Sequence, residues 1–194
     1  NIYLGLEINL KIMKNSILLL FPLAVFAQKG ETQLKINTMT LPLGMVNLGI
    51  EHAISNKITL QADGFISPWK SFAGNHLQMY MAFGEGRYYF DKSFSKFYIG
   101  PNIGIGFFDI QKWNYWNTNN YQRGLTILTG ATIGYQAKLN DRLNLDIFVG
   151  GGHSQGNYKG YYKDDSGIGR YDSAHAFNKS GEWLLYKGGI MLTY

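Results

Sequence analysis

Four patterns in this chain could carry chemistry. His153 and Ser154 are adjacent in an alternating segment, and a base beside a hydroxyl is the beginning of a nucleophilic site. On a strand, however, neighbouring side chains point to opposite faces, so a working pair needs a spacing of two or a cross-strand neighbour such as His76 or Ser67. Glu85 and Arg87 share a strand face, as do Gln61 and Asp63. They could be paired carboxylates with an activating arginine, but an arginine held by a carboxylate fork is more often a structural ion pair. Gly100, Gly104, Gly106 and the Gly150-Gly151-Gly152 run suggest phosphate loops, yet none opens a helix after a strand, which phosphate binding of that kind requires. Glycine there relieves crowding or allows a bend. Finally, Trp113, Tyr115, Trp116 and Tyr121 stand among asparagines, and Tyr161, Tyr162 and Tyr171 among glycines and aspartates. Flat rings with amides suit stacking on sugars or gripping a protein, although surface loops carry such residues in any case. Asp164, Asp165 and Asp172 lack a calcium-loop spacing. The expectation is a chain with no catalytic residue, no metal and no cofactor.

The elements that position these residues follow from composition and period. The 194 residues are 45% hydrophobic, 15% aromatic and only 16% charged, with 24 glycines and no cysteine. Disulfide scaffolds, cysteine-ligated zinc and thiol chemistry are excluded, and disorder conflicts with so many apolar residues. Residues 1–12 precede Met13 and read as upstream sequence outside the protein. Residues 13–27 read as a signal peptide: Lys14 is positive, Ile17 to Ala27 is apolar, and Val25-Phe26-Ala27 is a small-residue cleavage site. That apolar run is shorter than the roughly 20 residues of a spanning helix. Residues 28–194 then form one domain. Setting aside Lys11, Lys14 and Glu7 leaves 16 basic against 12 acidic residues, too modest and scattered an excess for nucleic acid.

Period two runs through the rest. Phe97, Ile99, Ile103, Ile105 and Phe107 alternate with Tyr98, Gly100, Asn102, Gly104 and Gly106, an apolar face against a small or polar one. The pattern predicts eight strands, over Leu34–Thr40, Met45–Ile54, Ile58–Trp69, His76–Phe90, Phe97–Ile110, Gly124–Leu139, Leu143–Gln155 and Glu182–Tyr194. In the last of these, Leu184, Tyr186, Gly188 and Ile190 share the greasy phase and Leu185, Lys187, Gly189 and Met191 the other. Short connections (Ser55–Lys57, Asp91–Lys96, Asn140–Arg142) alternate with longer ones (Lys70–Asn75, Gln111–Arg123, Gly156–Gly181), with a brief break at Leu41–Gly44. The fold class expected is all-β: an eight-stranded antiparallel up-and-down transmembrane barrel.

A soluble barrel would show the same alternation with the faces exchanged. The polar phase decides between them, because it is poor in charge and rich in Gly, Asn and Thr, as a narrow interior requires. Its charges balance: Lys35, Arg87, Lys138 and Lys187 against Glu51, Asp63, Glu85 and Asp146. Buried charges must pair, so these eight are expected to form an ion-pair network filling the lumen and leaving no open pore. Trp69, Tyr88, Tyr89, Phe90, Phe97, Phe107, Tyr135 and Tyr194 fall toward strand ends, where aromatic girdles belong.

Lys35-Ile36-Asn37, Asn47-Leu48-Gly49-Ile50-Glu51, Asp63-Gly64, Arg87-Tyr88-Tyr89-Phe90, Leu143-Asn144-Leu145-Asp146, the Gly150–Gly152 run, Gly156-Asn157-Tyr158 and Lys187-Gly188-Gly189, in this order, resemble the domain of unknown function 3575 family. That resemblance implies a small outer-membrane β-barrel of Gram-negative bacteria, common in the Bacteroidetes, and brings no catalytic residue with it. Tyr194, in phase with Leu192 and Ile190, is similar to the C-terminal aromatic signal read by barrel-assembly machinery, which with outer-membrane lipid is an expected partner. Two functional expectations follow: a structural or surface-binding barrel whose outer loops hold a ligand, or an outer-membrane lipid-modifying enzyme with a His/Ser site at the outer rim.

Overall fold

In the computed structural model, residues 31–112, 116–163, 169–171 and 178–194 are described. The expected upstream segment and signal peptide lie outside them. Eight strands follow in order: β1 (Thr32–Asn37), β2 (Val46–Ala53), β3 (Ile58–Phe72), β4 (Asn75–Tyr89), β5 (Lys96–Ile110), β6 (Asn120–Lys138), β7 (Asn144–Tyr162) and β8 (Asn178–Thr193). Each pairs antiparallel with the next, and β8 returns to β1 through Lys35↔Thr193, Ile36↔Leu192 and Asn37↔Met191, so the sheet closes on itself. Leu34 N donates to Tyr194 O at 2.8 Å and Tyr194 N to Leu34 O at 2.9 Å, which makes Tyr194 part of the seam.

Alternation sorts the two faces. On β5, Phe97, Ile99, Ile103, Ile105 and Phe107 are exposed on the outside, while Tyr98, Asn102 and Gly104 are buried inside. Leu34, Leu48, Leu60, Ile66, Ile127, Ile133, Ile147 and Val149 continue the outer apolar surface around the ring. At about 3.3 Å per residue and a tilt of roughly 40°, the Phe97–Phe107 face covers about 25 Å along the barrel axis. The interior is narrow enough for glycine to matter. A Cβ on Gly134 would lie 2.4 Å from the Tyr98 ring, and one on Gly104 would lie 2.4 Å from that of Phe83.

The structure departs from the sequence expectation at the strand ends. The β3–β4 connection is a two-residue turn, Ala73-Gly74. β6 and β7 run farther than predicted, so Tyr121, Tyr161 and Tyr162 belong to strands and not to loops. Conversely, β1 and β2 are the shortest strands and are joined by a 3₁₀ turn at Leu41–Leu43, closed by Gly44 at φ +67°. A register shift opposite Gly150/Gly151 places Lys187 against Gly150 and Leu185 against Gly151. This bulge at Tyr186 inverts the phase of β8. Trp183 and Leu185 turn outward, at 82% and 75% exposure. Leu184 and Tyr186, expected outside, join the interior, where Tyr186 stacks on Phe83 at 5.7 Å and its hydroxyl donates to Asn102 Oδ1.

Candidate functional site

Inward-facing positions on β1 to β4, β7 and β8 deliver seven of the eight charged residues predicted for the lumen into one layer near the short-turn end. Arg87 is its centre. Nε donates to Glu85 Oε1 at 2.5 Å, while Nη1 donates to Glu51 Oε2 at 3.0 Å and to Asp146 Oδ2 at 2.8 Å. Lys35 donates to Asp146 at 2.7 Å and also pairs with Glu51. Lys187 bridges Asp63 Oδ1 at 2.8 Å and Glu85 Oε2 at 3.0 Å. Every side chain of the Lys35, Glu51, Glu85, Arg87 and Asp146 group has zero exposure. Neutral groups take up the remaining acceptor sites, as buried carboxylates require. Tyr89 and Thr59 donate to Glu51, Tyr98 to Asp146, Thr132 to Glu85 and Gln61 to Asp63. The guanidinium also lies 4.3 Å from the centroid of the Tyr98 ring, a contact suited to a planar cation.

Lys138 does not join this layer. It sits at the end of β6, 67% exposed, and pairs with Asp141 at 2.8 Å; that hydrogen bond holds the Asp141 carboxyl below its usual value. The phase rule placed Lys138 inside, but the strand ends there and its long stem reaches the turn. Tyr89 corrects the expectation in the opposite sense. Its place near a strand end predicts a girdle residue, yet it is fully buried and tilts against Tyr98 at 5.0 Å, inside a cluster with Phe148 and Met191. Tyr98 and Gln136 carry lumen hydrogen bonds that the charge pattern did not single out; their inward phase was the available signal.

The lumen is not filled throughout. Beyond Lys187 and Asp63, toward the long-loop end, lies a cavity of about 500 Å³ lined largely by Phe65, Met79, Met81, Phe83, Leu128 and Leu184, with Thr126 and Ser154 on the wall. The expectation of a wholly packed polar lumen is therefore corrected to a packed ionic half and a hollow, mainly apolar half. Charged groups on facing strands account for the first. The second arises where the inward positions carry methionine, phenylalanine, leucine and small residues.

The histidine and serine candidates separate. Ser154 faces inward and bonds Thr126 at 2.8 Å, while His153 faces outward with its ring edge-on to Trp183 at 5.7 Å. His76 bonds Asp109 at 2.8 Å, and Ser67 donates to the Leu77 carbonyl. Asp109 also accepts two bonds from Arg123, at 2.7 and 2.9 Å. Among the candidate loop aromatics, Trp113 and Tyr115 lie outside the described residues. Trp116 is exposed and donates to Gln111 O. Tyr121 is only 2% exposed, stacked between His76 at 4.2 Å and Tyr161 at 5.6 Å, so it serves packing at the barrel's outer surface and not a free binding face. Tyr162 and Tyr171 meet edge to face at 5.8 Å.

Comparisons with curated proteins and with solved structures find no match. A family model described as "Protein of unknown function (DUF3575)" matches residues 15–194. With its eight antiparallel strands and nearly full-length match, the chain belongs to the DUF3575 family.

Proposed function

We propose that this protein is an outer-membrane β-barrel of structural or surface-binding type, exported by residues 13–27, with its short turns in the periplasm and its long-loop end at the cell surface. One observation carries the reading: the apolar phase of the barrel faces outward and the charged phase inward. Ile103 is 60% exposed, while Arg87 and Glu51 are at most 1% exposed. In water that arrangement would expose a continuous apolar girdle and bury ions. In a bilayer it puts each face against its own solvent. The girdle also matches a hydrocarbon layer in height, and its outer surface turns ionic one pair beyond Phe107↔Leu125, at Asp109↔Arg123.

The packed layer around Arg87 makes a rigid plug across the lumen, which argues for a wall or an anchor and against a pore. Surface binding falls to the long-loop end, where Trp116, Tyr162 and Tyr171 stand. Membrane fractionation with heat-modifiable gel migration tests the reading. The protein is expected in the outer-membrane fraction, with the unheated form migrating faster than the boiled one. Recovery as a soluble periplasmic protein would refute it.

A further inference from the structure

The wall of the barrel is incomplete at the long-loop end. β2 pairs with β3 only as far as Val46↔Ile66, so among the described residues Ser67–Phe72 has β4 on one side and no strand on the other. β1 reaches Asn37↔Met191, with one further bond from Thr38 N to Ile190 O. Beyond it, β8 from Asn178 to Gly188 has β7 as its only strand partner among the described residues. The short β1–β2 hairpin thus leaves a gap above its own tip, between the edges of β8 and β3. Trp69 covers the β3 side: Nε1 donates to Leu43 O at 2.8 Å, and the ring lies where a Cβ on Gly44 would meet it at 2.6 Å. Among the described residues no strand covers the β8 side, and the cavity reaches it, since Thr40, Gly188 and both Leu184 and Leu185 border the hollow.

The axial route is strapped. Lys112, just past β5, pairs with Glu182 of β8 at 2.8 Å, and Lys163, just past β7, donates to the Gly74 carbonyl in the β3–β4 turn at 2.8 Å. Each contact crosses between strands nearly opposite each other in the ring. Below, Lys187 and its carboxylates close the floor.

We infer that this cavity takes one hydrocarbon chain of a membrane lipid, admitted sideways through the gap between β8 and the β1–β2 hairpin. The inference rests on the membrane reading above. Beside the gap, the apolar Leu185 and Trp183 project outward from β8. The lining matches, with Met79 and Met81 supplying flexible thioethers that conform to a chain, and the volume falls within the roughly 300–1,000 Å³ of small-ligand sites. The ionic floor makes the site blind, so a chain enters and stops.

The test uses the full barrel folded into phosphatidylcholine vesicles whose acyl chains carry a photoreactive diazirine, with cross-links mapped by peptide mass spectrometry. The expected result is labelling of inward-facing Met79, Met81 or Leu128 together with outward-facing Ile103, Ile105 or Ile127. Leu128→Trp, which fills the hollow, is expected to lose the inward cross-links and keep the outward ones. Outward labelling alone overturns the inference and leaves the membrane reading standing. Absence of labelling on either face overturns both, and persistence of the inward cross-links in Leu128→Trp also refutes the site.

Discussion

Replacing Arg87 with alanine is expected to lower stability sharply without touching any surface. Arg87 is 1% exposed and its three bonds reach Glu85, Glu51 and Asp146. Removing it leaves three carboxylates close together, with Lys35 still holding Glu51 and Asp146 and Lys187 still holding Glu85. Breaking a buried ion pair by deleting one partner costs about 3–5 kcal/mol, most of it from the charge left behind. At a urea slope of about 2 kcal/mol/M, that cost lowers the unfolding midpoint by about 2 M. The assay is urea unfolding of the barrel in lipid vesicles, read as the fraction that keeps its unheated gel mobility. Arg87→Lys should recover only part of the loss, because one ammonium cannot serve the three carboxylates as the planar guanidinium does. Lys138→Ala, at an exposed residue carrying the same sign of charge, should leave the midpoint where it is. An Arg87→Ala midpoint equal to that of the parent would refute the reasoning that this layer holds the barrel together.

Other consequences are as specific. Gly134→Val should destabilise by roughly 1–3 kcal/mol through overpacking, since its Cβ falls 2.4 Å from a Tyr98 ring anchored on Asp146; combining it with Tyr98→Ala should give less than the sum of the two losses, and strict additivity would contradict the contact. The parent protein in planar bilayers should show no stepwise conductance, because the Arg87 layer fills the lumen; regular current steps would mean that the layer opens.

Much of this architecture is legible in the sequence because period two survives wherever a strand separates two solvents. The phase of β5 and β7 assigns Tyr98, Asn102 and Asp146 inward and Phe97, Ile103 and Ile147 outward, and the structure keeps each of them there. The same rule fails where the backbone adds a residue. At Tyr186 the bulge exchanges the faces of β8, and nothing in Leu184-Leu185-Tyr186-Lys187 announces it, since three of those four side chains suit either face. Strand length is equally hidden. Tyr121 and Tyr161 resemble loop aromatics by composition but extend β6 and β7, where the two rings stack on each other and Tyr121 stacks on His76 as well. The site divides in the same way. Buried charges are scarce and stand out in a low-charge chain, so the members of the ionic layer could be named from their phase. The hollow beside it lies where inward positions carry Met79, Met81, Phe83 and Leu128, and its side opening depends on where the short β1–β2 hairpin stops pairing, which no residue type announces.

The outward direction of the apolar phase is the claim on which the account turns, and Ile103 tests it. Ile103 faces out near the middle of the Phe97–Phe107 band and is 60% exposed. Ile103→Arg, folded into phosphatidylcholine vesicles and titrated with urea, should cost about 2–4 kcal/mol relative to the parent, the price of a cation at the bilayer midplane. A free energy unchanged by the substitution, as expected for an exposed residue in water, would contradict the account.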